Sequence, residues 1–108
     1  MELNELHFEF AVDNPVELPK PWTHFGVVGS GDMEVLMEKK DFNGAVKIKV
    51  VTPVKDFEKV WRLLLGYFVM ESRLGNVLIE INDNNATPLV VKTRLRQALA
   101  EVRKSAGV

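Results

Sequence analysis

The chain has 108 residues, of which 46% are hydrophobic and 27% are charged, and its formal net charge is -1. These values fit one domain over residues 1–108 with a modest core, which is small for an enzyme that performs several steps. The sequence contains no cysteine, and this excludes disulfides, thiolate metal sites and a cysteine nucleophile. Any thiol chemistry would therefore depend on an attached group.

Hydropathy and charge indicate the compartment and the kind of partner. No apolar run approaches the roughly 20 residues that span a bilayer, and the acidic segment 1–9 does not resemble a signal peptide. We therefore expect a cytoplasmic protein without a membrane partner. Residues 1–44 carry nine Asp or Glu against three Lys or Arg, whereas the rest of the chain is basic. This division predicts either two opposed charged surfaces or a fold that interleaves the halves.

The first half of the chain has the patterns of β-strands. Residues 6–10 alternate between apolar and polar side chains, which predicts a half-buried strand. Three prolines in segment 13–22 predict an irregular connection. Further strands are predicted at residues 24–28, 33–38 and 46–50.

The dipeptide Asn43-Gly44 separates the last two of these strands and is a strong tight-turn signal. We therefore expect these two strands to pair as a hairpin. In that arrangement Glu34 and Glu38 would face Lys47 and Lys49 across the pair.

The second half of the chain alternates between helix and strand patterns. Apolar residues at three- and four-residue steps predict an amphipathic helix from Asp56 to about Gly75. Residues 77–81 predict another strand, and segment 82–85 a polar turn. Thr87-Pro88 then provides an N-cap and a first helical residue. The last helix is predicted to bury Val91, Leu95, Ala98, Leu99 and Val102.

The predicted elements follow the order β-β-β-β-α-β-α. Strands followed by helices of this kind favour an α+β fold. We expect a mostly antiparallel sheet of about five strands with two helices packed on one face.

Ser30 stands between two glycines at a break between two predicted strands. Gly29 and Gly31 permit positive φ and carry no side chains, so they would leave the Ser30 hydroxyl open to another protein. Asp32 would stabilise this turn or contact a partner. Gly-Ser-Gly-Asp is also an ordinary turn composition, and the residues alone do not separate the two interpretations.

His24, Ser30 and Asp32 are the residue types of a nucleophilic triad. The segment after Ser30 has the period of a strand, whereas a nucleophile elbow leads into a helix, so a serine hydrolase is disfavoured. The two histidines, His7 and His24, have no neighbouring ligands at metal-binding spacing. We therefore expect no metal site.

The last predicted helix carries a set of basic residues: Lys92, Arg94, Arg96, Arg103 and Lys104. A basic stripe can bind phosphates, but a solvated helix face is the more common reason for one. The isoelectric point of about 6.1 disfavours a dedicated nucleic-acid-binding protein. Of the two tryptophans, Trp61 is predicted in the core, and Trp22 as a lid over a sheet edge or a partner contact.

Two segments carry a resemblance to a known family. Residues 27–36 (VVGSGDMEVL) resemble the signature of the malonate decarboxylase acyl carrier protein, or delta subunit, family. A second match combines Asp83 with Ala86-Thr87-Pro88, Val90-Val91 and Arg94-Leu95. Asn85 stands where the family pattern has glycine, and asparagine tolerates the left-handed geometry that such a turn needs. Residues 1–22 match least well.

The resemblance implies a carrier role without a catalytic residue in this chain. Ser30 would bear 2'-(5''-phosphoribosyl)-3'-dephospho-CoA through a phosphodiester, presented by Gly29, Gly31 and Asp32. The thiol of that group would carry acetyl and malonyl units, while other malonate decarboxylase subunits perform acyl transfer and decarboxylation. A dedicated transferase would install the group. Arg94 would face its phosphates, support the fold or bind a partner subunit.

Two alternatives stand beside this interpretation. The citrate lyase acyl carrier (gamma) subunit resembles the same family and bears the same type of group, although the Gly-Ser-Gly-Asp loop and the chain length favour malonate decarboxylase. A non-enzymatic interaction or nucleic-acid-binding module would instead account for the basic helix. Such a module predicts salt-sensitive binding of RNA or DNA.

Overall fold

The computed structural model describes residues 2–107, with side chains described through residue 104. Seven strands and two helices follow in the order β1 Asn4–Phe10, β2 Val16–Glu17, β3 Trp22–Gly26, β4 Asp32–Lys39, β5 Val46–Thr52, α1 Glu58–Ser72, β6 Leu74–Gly75, β7 Val77–Asn84 and α2 Pro88–Gly107. Without β2 and β6 this is the predicted order. Those two short strands pair in parallel as a separate sheet, and β2 interrupts the proline-rich connection that the sequence predicted to be irregular.

The main sheet has five strands in the order β1-β5-β7-β4-β3. Only β5 and β7 pair in parallel, and the other neighbours are antiparallel, so the predicted α+β class with a mostly antiparallel sheet is confirmed. The predicted hairpin between β4 and β5 is wrong, because β7 lies between them. The parallel pair requires a crossover, and α1 provides it by connecting β5 to β7.

The Asn43-Gly44 turn forms as predicted but serves a different purpose. Both residues have positive φ, 55° and 88°, and the Ala45 N–H donates to the Phe42 carbonyl over 3.1 Å. The turn passes over the start of β7, where the Asn76 side-chain oxygen accepts hydrogen bonds from the Gly44 N–H (2.8 Å) and the Phe42 N–H (3.1 Å). The turn therefore connects β4 and β5, which are not neighbours in the sheet.

The strand order also changes the partners of the β5 lysines. Lys47 and Lys49 lie between β1 and β7, opposite Glu9 and His7 on the β1 side. Lys49 forms an ion pair of 3.2 Å with Glu5. The predicted contacts of these lysines with the glutamates of β4 are therefore wrong.

The core lies between one face of the sheet and the two helices. Alternate residues of β4, β5 and β7 are buried and form one cluster with residues of both helices, which confirms helices on a single face. Trp61 is only 2% exposed, as predicted. The five residues predicted on the buried face of α2 are all buried, namely Val91, Leu95, Ala98, Leu99 and Val102. Within the described residues, neither helix is long and apolar enough to cross a membrane.

The ends of β3, α1 and β7 differ from the sequence predictions. β3 ends at Gly26 and not at Val28, because Gly26 has a φ of 88° and lies against the Met33 carbonyl. α1 ends at Ser72, where Arg73 caps the helix in the left-handed region, and Gly75 belongs to β6. β7 continues through Asn84.

The predicted polar turn at residues 82–85 is therefore mostly strand. Asn82 donates a hydrogen bond to the Glu34 carboxylate (2.8 Å), and the buried Asp83 accepts one from Thr52 (2.7 Å). Asn82 and Asp83 are tolerated in this strand because each finds a hydrogen-bond partner on a neighbouring strand.

Two glycines give a matched test of the packing. A methyl group on Gly75 would overlap the Gly44 carbonyl oxygen and the Pro15 side chain, so we expect Gly75→Ala to lower the free energy of unfolding by about 1–3 kcal/mol. Gly66 lies inside α1, where a methyl would meet only the Phe10 ring at 3.8 Å. We expect Gly66→Ala to raise the free energy of unfolding by about 0.5–1 kcal/mol. Urea unfolding measures both, and a Gly75→Ala variant as stable as the parent would contradict the packing described here.

Candidate functional site

Ser30 lies at the tip of a tight turn between β3 and β4, which we call the serine turn (residues 29–32). The Asp32 N–H donates to the Gly29 carbonyl over 3.0 Å, which closes the turn. Gly31 has a φ of 74°, a conformation that favours glycine, whereas Gly29 is not in the positive-φ region. Open space surrounds both glycines at the positions of the missing side chains. The Ser30 side chain is exposed.

The central strand β7 holds the serine turn in place. The Gly31 N–H donates to the Asn84 carbonyl over 2.7 Å, directly before Asp32 enters the β4–β7 ladder opposite Asn84. Ser30 thus lies one residue from a backbone bond to the middle of the sheet. The serine turn is anchored, although its tip faces solvent.

Asp32 and Arg94 form a two-pronged ion pair between the serine turn and α2. Arg94 donates from Nε to Asp32 Oδ1 and from Nη2 to Oδ2, both over 2.7 Å. The Met33 N–H also donates to Oδ1 over 2.7 Å, and Arg94 Nη1 donates to Gln97 Oε1 over 2.9 Å. Bidentate pairs of this kind fix orientation as well as distance. Asp32 therefore links the serine turn to α2.

The charged pair shifts the titration of both partners. The hydrogen bonds from Arg94, followed by the bond from the Met33 amide, lower the pKa of Asp32 below its ordinary value. The same contact raises the pKa of Arg94. Asp32 is thus held as a carboxylate, and its charge is neutralised next to Ser30 by a guanidinium.

A second polar junction lies where β7 gives way to α2. Asp83 accepts hydrogen bonds from the Thr52 hydroxyl (2.7 Å) and the Ala86 N–H (2.9 Å). Asn85 has a φ of 65°, which is the left-handed geometry expected at this position. Thr87 caps α2 by accepting a bond from the Val90 N–H over 3.3 Å. The two segments that carry the family resemblance therefore meet at one end of the sheet.

Two apolar side chains directly precede the serine turn. Val27 is 62% exposed and Val28 is 50% exposed, because β3 ends before them at Gly26. They form a small exposed apolar surface next to the Ser30 hydroxyl. The apolar run placed these valines in the predicted strand 24–28, and the geometry of Gly26 ends the strand before them.

The three triad residue types do not assemble. His24 Nε2 donates to Glu34 over 3.0 Å, and Asp32 is held by Arg94. No triad therefore forms around Ser30 among the described residues, and they contain no group of three or more side chains that could hold a metal ion. His7 is exposed and bonds to Glu5 over 3.0 Å.

The basic residues of α2 divide into two groups. Arg94 binds Asp32, Arg96 lies 3.9 Å from the Glu71 carboxylate, and Arg103 donates to the Glu71 carbonyl over 3.2 Å. Lys92 and Lys104 are exposed. Part of the predicted basic stripe thus contacts α1 and the serine turn. Trp22 lies on the edge strand β3 and is 62% exposed.

Comparison with known proteins identifies similar chains. Residues 21–102 match the family described as Malonate decarboxylase delta subunit (MdcD). The malonate decarboxylase acyl carrier protein of Malonomonas rubra is 53% identical over 103 residues, which cover 95% of this chain and 92% of that protein. The protein of the same name from Stenotrophomonas maltophilia is 35% identical over 97 residues, covering 90% and 92%.

A solved structure has the same fold. The crystal structure of a Pseudomonas malonate decarboxylase hetero-tetramer in complex with malonate contains a chain that is 34% identical, with a TM-score of 0.75. The match covers 92% of this chain and 98% of that one.

The ion pair of the serine turn makes stability depend on pH. Because the pKa of Asp32 is lower in the folded state, its contribution to stability is complete above the unfolded-state pKa of about 3.9 and is lost as the pH falls through the lower folded-state pKa. We expect Asp32→Asn to destabilise the protein at pH 7. The difference from the parent should shrink below about pH 3.9, as measured by urea unfolding across this range.

Two variants control that experiment. Glu9 is exposed and forms no ion pair among the described residues, so Glu9→Gln removes one carboxylate and should change stability little at either pH. Arg94→Lys keeps the positive charge but lacks the planar guanidinium that donates two parallel hydrogen bonds. We therefore expect a loss of stability similar to that of Asp32→Asn. Additive losses in the double variant would contradict a direct pair, because coupled residues are not additive.

Proposed function

The chain belongs to the malonate decarboxylase delta subunit family, and on that premise we propose that it carries acyl groups on a prosthetic group attached to Ser30. The group is 2'-(5''-phosphoribosyl)-3'-dephospho-CoA, joined through a phosphodiester. The observation that carries this proposal is the exposed Ser30 hydroxyl at the tip of an anchored turn.

The residues around Ser30 fit a bulky phosphodiester. The open space beside Gly29 and Gly31 leaves room on both sides of the hydroxyl. Arg94 neutralises Asp32 at 2.7 Å, so the carboxylate next to the serine does not stand as a free negative charge beside a phosphate. Arg94 and Gly31 would thus favour the group, one by its charge and the other by the absence of a side chain.

The residues of this chain present the Ser30 hydroxyl and perform no chemical step themselves. The only described histidine near the serine turn, His24, is engaged by Glu34, so activation of the Ser30 hydroxyl falls to the transferase that installs the group. When bound, the group supplies a thiol that carries acetyl and malonyl units as thioesters. Val27 and Val28 provide an apolar contact surface beside the hydroxyl for the enzymes that act on it.

The partners are the other subunits of a malonate decarboxylase. We assign acyl transfer and decarboxylation to those subunits, because the described residues of this chain assemble neither a nucleophile with its base nor a metal site. The names of the similar proteins favour this complex over citrate lyase. Arg94 is paired with Asp32, which reduces the basic surface that a nucleic-acid-binding module would need.

Substitution of the serine tests the attachment. We expect the protein isolated from its native host grown on malonate to exceed the mass of the bare chain by one prosthetic group. Ser30→Ala should return the mass to that of the bare chain and abolish malonate decarboxylation by the assembled complex. Intact mass spectrometry and an activity assay measure the two effects.

Thr93→Ala is the matched control, because Thr93 presents another exposed hydroxyl on α2. It should retain both the added mass and the activity. A Ser30→Ala protein that still carries the group would exclude Ser30 as the attachment site, and a bare parent chain in the active complex would exclude the carrier role.

A further inference from the structure

A groove runs between α1 and α2 on the surface of the protein. Residues of these two helices line it, and its volume is about 570 Å³. A second depression further along α2 shares Glu71 and Arg96 with it. The two therefore form one continuous feature, which we call the helix groove. Residues 92–104 of α2 follow it, which is a length of about 18 Å.

The α1 side of the helix groove presents an exposed apolar ridge. Leu63, Tyr67 and Met70 are 57%, 62% and 74% exposed. They recur at steps of four and three residues, so they lie along one face of the helix. Tyr67 and Met70 line the groove. Tyr, Met and Arg are residue types that are enriched in protein–protein interfaces, and methionine adapts readily to the shape of a partner.

The α2 side of the helix groove is basic. Glu71 is the one acidic residue among the described lining residues, against four basic residues, namely Lys92, Arg96, Arg103 and Lys104. Arg96 lies 3.9 Å from the Glu71 carboxylate, whereas Lys92 forms no ion pair among the described residues. The groove is therefore positively charged, although the formal net charge of the whole chain is -1.

The two sides of the helix groove together determine which occupant fits. An apolar ridge beside a row of cations suits an amphipathic helix with apolar residues at three- and four-residue steps and carboxylates next to them. A nucleic acid fits less well, because Glu71 would repel its phosphates and the apolar ridge would have no partner. Two copies of this chain would bring like charges together at a symmetric contact.

The helix groove is separate from the serine turn. Residues 27–32 are not among its described lining residues, and neither is Arg94, which binds Asp32. A partner bound in the groove would therefore leave the Ser30 hydroxyl, and any group on it, accessible to other subunits.

We propose that the helix groove is the surface on which this chain docks to its malonate decarboxylase complex, and that its occupant is an acidic amphipathic helix of another subunit. This inference rests on the proposed function, which supplies the partner subunits. The apolar ridge of α1 would pack against the partner helix. The cations of α2 would orient that helix by pairing with its carboxylates.

Charge reversal tests the basic side of the helix groove. Parent and variant chains, co-expressed in equal amounts with the other subunits, compete for the complex, and intact mass spectrometry measures their ratio in it. We expect the Lys92→Glu/Arg96→Glu chain to be roughly tenfold under-represented. Lys20→Glu is the matched control, because Lys20 is exposed and lies outside the groove. It should compete as well as the parent.

Truncation of the apolar ridge tests the α1 side in the same competition. Tyr67→Ala and Met70→Ser should each be under-represented, Tyr67→Ala by roughly tenfold. Leu3→Ser is the control, because Leu3 is 59% exposed and lies outside the groove, and it should match the parent. Urea unfolding should show little change in any of these variants, since the substituted side chains are at the surface.

The absence of cysteine allows the occupant to be identified. Met70→Cys combined with Ser30→Ala provides a single thiol in this chain, because the second substitution removes the attachment site of the prosthetic group. Labelled with a benzophenone maleimide, this chain should crosslink within the complex to an acidic amphipathic peptide of another subunit. Leu3→Cys in the same background should not crosslink to that peptide.

The outcomes separate this inference from the function on which it rests. Intact mass at Ser30 reports the carrier role, whereas competition for the complex reports the groove. Each groove variant should keep the added mass on Ser30. A Lys92→Glu/Arg96→Glu chain that enters the complex as often as the parent would overturn the docking surface alone. Crosslinks only between copies of this chain would overturn it in favour of a dimer, and salt-sensitive DNA binding that the same variant abolishes would overturn it in favour of a nucleic-acid site.

Discussion

The hydrogen bond from the Gly31 amide to the Asn84 carbonyl, 2.7 Å long, joins the serine turn to the central strand. β7 pairs with β4 on one side and with β5 on the other, so it is supported along both edges. The same strand ends at the Asp83 junction, from which α2 begins. The position of Ser30 therefore depends on the centre of the sheet, although Ser30 itself is at the surface.

The charges of the two halves of the chain are interleaved by the fold. Asp32 in the acidic half pairs with Arg94 in the basic half, and Glu5 pairs with Lys49. These contacts follow from the strand order, because β1 lies next to β5 and β4 lies next to α2. Of the two arrangements that the charge division allowed, these pairs favour interleaving. At the serine turn, the pairing of Asp32 with Arg94 leaves the two charges balanced. Such neutrality suits a site that would receive phosphate.

Local patterns predicted most elements because their periods are set by residues close in the chain. The alternation in β4, β5 and β7 and the helical spacing of α1 and α2 required no knowledge of neighbours. The hairpin of β4 and β5 failed because the insertion of β7 depends on residues that follow α1. The polar end of β7 was mistaken for a turn because the partners of Asn82 and Asp83 lie on other strands.

The candidate site also combines features that the local sequence reveals with contacts that it does not. Glycines next to Ser30 indicated an exposed hydroxyl, and that feature is local. The pair of Asp32 and Arg94 joins residues 62 positions apart, and no pattern within one segment reveals it.

The anchoring of the serine turn has a consequence for reach. Since the turn is bonded to β7 and clamped to α2, a chain attached to Ser30 would be a tether with a fixed origin. The effective concentration at its far end falls roughly as the −3/2 power of tether length once the tether exceeds the span. Motion of the serine turn adds little to the volume that the far end of the tether can reach. The surfaces on which the domain docks set its orientation. That orientation would then determine which active site the end of the tether reaches first.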